Sequence, residues 1–198
     1  MAFKDPVVIF IVGPTGSGKT EAALKLAGLI PCEFVSADSM QVYKGMDIMT
    51  DKLPVSLRRR YRHHLIDILS PSKEYSVASF CRAAGKAVEG IIRRKKVPVV
   101  IGGTGLYVQA LLDGIFDDGA RDPKRRRQLE RLASEKGLGF LYDKLCFVDP
   151  EAARKIDSHD AKRIIRALEV YERTRQPISL LQKKRRGLAQ KYRTLVIG

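Results

Sequence analysis

Residues 13–20 read Gly-Pro-Thr-Gly-Ser-Gly-Lys-Thr, a full G-x-x-x-x-G-K-[ST] pattern. Each position has a use. Gly13, Gly16 and Gly18 let successive backbone N–H groups turn inward around a phosphate, and Pro14, Thr15 and Ser17 complete the phosphate-binding loop. Lys19 reaches a terminal phosphate, and the Thr20 hydroxyl is placed to hold Mg²⁺. Two further residues stand where they could react with a bound polyphosphate or diphosphate. Asp38 follows the run CEFVSA, and Thr104 lies in the turn VIGGTG. A carboxylate in such a place binds Mg²⁺, accepts a proton from a nucleophile, or merely caps a helix. The residue type alone leaves all three open.

The loop needs a strand before it and a helix after it, and both are present: VVIFIV precedes it and EAALKLAGL follows, stopped by Pro31. Further strands are expected at CEFVSAD, HHLIDIL, KKVPVVIGGTG and YRTLVIG, with helices at YSVASFCRAAGKAVEGIIRR and GLYVQALLDG. Alternation of this kind predicts an α/β fold: a P-loop NTPase-like parallel sheet flanked by helices, with a helical insertion. In such sheets the ligand crevice lies beyond the carboxyl ends of the strands, which puts Asp38 and Thr104 beside the phosphate loop. The α/β core is expected over residues 1–115 and 187–198, and residues 116–186 read as a basic helical insertion. Within it, helices are expected at RDPKRRRQLERLASEKG and DPEAARKI, and DAKRIIRALEVYERT carries Ala161, Ile164, Ile165, Leu168 and Tyr171 on one face.

The chain has 198 residues, 44% hydrophobic and 30% charged, enough to bury a core. No apolar run is long enough to span a membrane, and Cys32, Cys81 and Cys146 form no CxxC pair, so a cytoplasmic protein is expected. Lys and Arg number 37 against 22 Asp and Glu, a net charge of +15, and residues 116–198 hold 21 of the basic residues and 12 of the acidic ones. An enzyme acting only on metabolites does not need that excess. Nucleic acid is the partner it suits, with a solubilising surface as the alternative.

The usual nucleotide-hydrolysis machinery is hard to find. The best buried strand ends in Gly-Gly-Thr where an acidic residue is wanted, and Asp67 is the only substitute offered, as plausible a turn residue as a metal partner. The N-K-x-D element of guanine recognition is absent. The basic runs 58–62, 93–96 and 183–186 read equally as solvated helix ends or RNA contacts, and His63–His64 as a structural pair. A small-molecule or nucleotide kinase using ATP is therefore a competing reading, and a catalytically silent RNA-binding protein is another.

Taken together, GPTGSGKT, SADSMQVYKGMDI, RHHLIDIL with EYSVASF, VIGGTGLYVQALLDG, and VDPEAARKI with DAKRIIRALEVYE resemble the tRNA dimethylallyltransferase family, in order and at its spacing from about residue 7 to 182. The resemblance implies transfer of a dimethylallyl group from dimethylallyl diphosphate to the exocyclic amine of the tRNA adenine just 3′ of the anticodon. It implies that the loop grips the diphosphate as a leaving group, with Lys19, Thr20 and Mg²⁺ meeting the developing charge. Asp38 is then the general base and Thr104 lies near the reacting adenine. By the same resemblance Asp38, Ser39, Met40 and Gln41 contact the base, and Arg126, Lys162, Arg163, Ile164, Ile165 and Arg166 contact tRNA at its anticodon stem-loop. A monomer is expected.

Two departures from the family pattern stand out. The family's usual GMDIGTAKP is here GMDIMTDKLP, so Met49 and Asp51 replace small residues beside the active-site loop. Family members also continue well past YRTLVIG. A chain limited to these residues is expected to fold and keep the diphosphate crevice, with transfer weakened or lost.

Overall fold

The computed structural model describes residues 6–116 and 122–198. They form two compact units, residues 1–115 with 186–198 and residues 116–185.

In the first unit, β1 (Val7–Val12), α1 (Lys19–Leu29) and β2 (Cys32–Ser36) are followed by α2 (Val55–Arg60) and β3 (His63–His64). Then come α3 (Val77–Arg93), β4 (Val97–Gly102) and α4 (Gly105–Asp113), and β5 (Arg193–Ile197) closes the unit. All strand pairs are parallel, in the order β3-β2-β4-β1-β5. Alternation along each strand sorts the apolar residues to two faces. Val8, Phe10, Val35 and Val100 pack against Phe80, Ala84, Val88 and Ile91 of α3 and Tyr107, Val108 and Leu111 of α4. Ile9, Ile11, Phe34 and Val99 face the other way, onto Ala23, Leu26 and Ala27 of α1. Register places Val12 opposite Gly102, so the loops after β1 and β4 leave the sheet side by side.

The expected strand HHLIDIL pairs with β2 only at His63 and His64. Leu65 and Asp67 turn the backbone to positive φ, at 65° and 56°, and the amides of Asp67, Ile68 and Leu69 bond to the carbonyls of Gln41 and Val42 in place of continuing the ladder. The helix α2, with its run Arg58–Arg60, was not expected as an element.

The second unit holds α5 (Pro123–Lys136), α6 (Leu138–Val148), α7 (Pro150–Ala153), α8 (Ala161–Thr174) and α9 (Ile178–Lys183). Aspartates start three of these helices. Asp122 accepts from the amides of Lys124 and Arg125, Asp149 from Ala152, and Asp160 from Arg163, with Pro123 and Pro150 in first-turn positions. Asp149 is buried, and its second oxygen accepts the Ser179 amide at 2.9 Å, so one carboxylate caps both α7 and α9. Leu129, Leu141, Leu145, Ile164, Ile165 and Leu168 form the core. That corrects one expectation: Ile164 and Ile165 are 0% and 4% exposed, so their side chains hold α8 against its neighbours and do not reach RNA. Among the described residues no helix is long and apolar enough to cross a membrane.

Candidate functional site

The glycine-rich loop leaves β1 and enters α1 through Gly16 and Gly18, both in the left-handed region at φ 82° and 81°, which only glycine adopts without strain. Gly18 stands at the N-cap position of α1, so the free amides of the first helical turn face the loop interior. The Lys19 ammonium donates to the Pro14 carbonyl and lies 3.5 Å from Ser17 Oγ. The lysine thus folds back onto its own loop.

Beside this loop, β4 ends at Gly102 and Gly103, where the backbone runs too close to its neighbours for a side chain. A Cβ on Gly102 would overlap the Ala37 carbonyl, and one on Gly103 would lie 2.9 Å from the Gly13 carbonyl. The close approach brings the segment after β2 against the turn after β4. The Ser39 amide donates to Thr104 Oγ1 at 3.1 Å. Asp38 Oδ1 accepts from the amides of Met40 and Gln41 at 2.8 and 3.3 Å, an Asx-type turn that leaves Oδ2 as the oxygen not used by the turn.

These pieces surround a cavity of about 470 Å³. Its polar side includes Thr15, Lys19, Thr20 and Asp38; its apolar side is Leu24, Phe34, Leu53, Ile66 and Ile101. Lys19, Thr20 and Asp38, named from sequence as reactive, thus share one cavity, and Thr104 is tied to the Asp38 segment at its edge. A second cavity of about 380 Å³ lies across the Gly13–Gly103 approach, against Val108 and Leu112. Met40 is 45% exposed. Gln41 is largely committed to scaffolding: its Oε1 accepts from Ser36 Oγ at 3.0 Å, and its Nε2 donates to the Thr50 carbonyl at 3.1 Å. Of the two departures, Met49 points outward at 84% exposure, whereas Asp51 lines the cavity with φ 46°.

Asp67 is not available for a metal. Lys52 and Arg58 both donate to it, and although burial alone would raise its pKa, those bonds hold the carboxyl below the usual range. His63 lines the cavity, with its ring 4.8 Å from that of Phe34 and Nδ1 donating to the Tyr61 carbonyl. Burial lowers its pKa, which favours the neutral ring, and its buried Nε2 is then a lone-pair acceptor with no partner among the described residues. His64 instead bonds Glu33 at 2.8 Å.

In the second unit, Arg126 pairs with Glu130, Arg163 with Asp160 and Arg166 with Glu169, at 3.0, 3.3 and 3.1 Å, while Lys162 is exposed. Sequence reasoning missed two residues that organise the core unit, Glu33 and Lys52. Glu33 was legible as a charge inside the apolar run CEFVS; nothing in GMDIMTDKLP marks Lys52 as enclosed.

A tRNA dimethylallyltransferase of Carboxydothermus hydrogenoformans is 47% identical over 192 residues, 96% of this chain and 62% of that protein. A second protein of that name, from Geotalea uraniireducens, is 49% identical over 93% of this chain and 59% of its own length. The chain thus spans about six tenths of the curated relatives it matches. Among solved structures, a eukaryotic dimethylallyltransferase acting on tRNA superposes with a TM-score of 0.81 at 32% identity, over 96% of this chain and 47% of that one. The family model described as IPP transferase matches residues 41–198, most of the chain, and on that match the polypeptide belongs to the IPP transferase family.

Proposed function

We propose that this chain carries the catalytic crevice of a tRNA prenyltransferase. It moves a dimethylallyl group from dimethylallyl diphosphate to the exocyclic N6 amine of the tRNA adenine 3′-adjacent to the anticodon, and diphosphate leaves. One observation carries the reading: Lys19 and Thr20 of the phosphate loop line the same cavity as Asp38, while β4 ends in Gly-Gly-Thr with no carboxylate. That pairing suits a departing diphosphate and a neutral nucleophile that must lose a proton.

In this reaction the allylic C–O bond breaks and its electron pair leaves with the diphosphate. The amine lone pair forms the new C–N bond, and the proton passes to Asp38. Lys19, the loop amides and the N-terminus of α1 stabilise the negative charge as it grows. Among the described residues there is no cluster of three or more His, Cys, Asp or Glu that could cage a metal. A hydroxyl such as that of Thr20, joined by the diphosphate's own oxygens, is instead a donor set that suits Mg²⁺. When bound, Mg²⁺ supplies charge neutralisation at the leaving group.

The RNA partner is supported by the net charge of +15 and by exposed bases such as Lys162. The adenine must leave its stack to reach a carboxylate lining a cavity. The enzyme acts as a cytoplasmic monomer.

Labelled dimethylallyl diphosphate and an anticodon stem-loop, with and without the target adenine, test the proposal. Transfer is expected only to the adenine-bearing RNA, and Asp38→Asn is expected to lower it by about 10²–10⁴-fold while sparing RNA affinity. Consumption of ATP in place of the prenyl donor would make the protein a kinase.

A further inference from the structure

Lys52 takes no part in the cavity wall, yet its side chain is 0% exposed. Its ammonium donates to the Tyr43 carbonyl at 2.6 Å and to Asp67 Oδ1 at 2.7 Å, and lies 3.6 Å from Asp47 Oδ1. Two acceptors take N–H donors, and Asp47 adds an ion pair. The other Asp67 oxygen accepts from Arg58, whose second nitrogen donates to Asp47 at 3.0 Å. Two cations and two anions therefore alternate in a closed ring, the arrangement in which an enclosed ammonium is stable.

The ring adds side-chain ties between segments that backbone hydrogen bonds already join in part: the loop after β2 at Tyr43 and Asp47, Lys52 three residues ahead of α2, α2 itself at Arg58, and the turn after β3 at Asp67. From Asp67 the linkage to the site is short. The Asp67 amide donates to the Gln41 carbonyl at 3.1 Å, and the Gln41 amide bonds Asp38 Oδ1. The Gln41 side chain also holds Thr50, beside Asp51. Asp51, Leu65 and Asp67 all sit at positive φ, and the ring closes around that strained backbone.

We infer that Lys52 is a positioning residue: by anchoring the loop between residues 38 and 52, it holds the Asp38 carboxylate against the phosphate loop without touching either substrate. The kinetic part of this inference rests on the proposed transfer reaction.

Lys52→Met keeps an unbranched side chain one atom shorter and removes its charge. In the full chain, hydrogen-exchange protection of the Met40 and Gln41 amides should fall by about tenfold or more, with the amides of β1 and β4 unchanged. Calorimetric affinity for inorganic pyrophosphate should stay within about twofold of wild type, because the phosphate loop is intact. In transfer assays kcat should fall by about 30-fold or more while KM for the prenyl diphosphate changes by less than about threefold. Asp67→Asn, which preserves shape, should give the same pattern more weakly and serves if Lys52→Met does not fold. The double variant should be no worse than the more severe single one, since both break one ring. Wild-type protection at Met40 and Gln41 in a folded variant overturns the inference. Loss of pyrophosphate affinity in step with melting temperature also overturns it, by making Lys52 merely structural. If the unmodified chain transfers nothing, the kinetic comparison drops out and the exchange and pyrophosphate data decide the role of Lys52.

Discussion

Thr104 Oγ1 accepts the backbone N–H of Ser39 across 65 residues of sequence. That hydrogen bond joins the turn after β4 to the segment carrying Asp38, the two chain stretches that flank the phosphate loop at the sheet's carboxyl edge.

Thr104→Val keeps the side-chain shape and removes the acceptor. The Ser39 amide is half-buried, so the loss should cost about 1 kcal/mol of stability in denaturant titrations. Transfer should fall by a larger factor, about tenfold or more, because the Asp38 segment loses its anchor beside the reacting centre. Thr104→Ser should restore most of both. Equal behaviour of the valine and serine variants would show that the hydroxyl does not hold the segment.

Glu33 governs stability at acid pH. Its side chain is 1% exposed at the start of β2, facing His64, Arg94 and Lys96 at 2.7–3.2 Å, with Arg62 at 3.8 Å. Burial acts to raise its pKa, but hydrogen bonds from Arg94, His64 and Lys96 outweigh it and bring the value down from 4.5 to about 2. A folded pKa below the unfolded one gives stability that is fully present above about pH 4.5 and is lost as pH falls toward 2, on the order of 3 kcal/mol in all. Glu33→Gln should flatten the stability profile between those limits. It should also cost a few kcal/mol at neutral pH, since three bases are left facing one amide. Urea melts from pH 2 to 7 measure both effects.

The contrast between Glu33 and the phosphate loop explains what the sequence could reveal. The loop is local: strand, glycines, lysine and helix follow one another, so its chemistry is written in consecutive letters. The parallel sheet was legible for the same reason, through apolar runs separated by helical periods. The hub at Glu33 and the ring at Lys52 assemble from residues 29 to 63 and 5 to 15 positions apart; a charge inside CEFVS marks Glu33, but no local pattern names the partners of either. The segment 63–69 shows the opposite failure. HHLIDIL has the letters of a strand, but Lys52 and Arg58 draw Asp67 into a turn and cut the strand to two residues. In α8 the helical period puts Ile164 and Ile165 on the apolar stripe, and the fold buries that stripe in the core of the second unit.

Lys19→Met separates binding from folding. Among the described residues the hydrogen bonds of the lysine ammonium go to the Pro14 carbonyl and Ser17 Oγ within its own loop, so melting temperature should change by no more than about 2 °C. Calorimetric affinity for pyrophosphate should drop by about 30-fold or more, the loss of a charge-assisted bond to a terminal phosphate. Retained affinity would place the diphosphate away from this loop.

Gly102→Ala tests whether the crevice depends on close backbone approach. The new methyl would run into the Ala37 carbonyl, whose amide bonds the Ile101 carbonyl at 2.7 Å, so β2 and β4 must separate where Asp38 begins. Backbone on both sides of the clash cannot yield as a flexible side chain would, and the expected loss is about 2–3 kcal/mol. Gly28→Ala in α1 makes a fair control, because its Cβ would meet nothing within 4 Å and alanine favours the helix. Denaturant titration of both variants should show Gly102→Ala destabilised and Gly28→Ala unchanged or stabilised. Pyrophosphate affinity should fall for Gly102→Ala alone, since Gly103 next to it packs on the Gly13 carbonyl at the start of the phosphate loop.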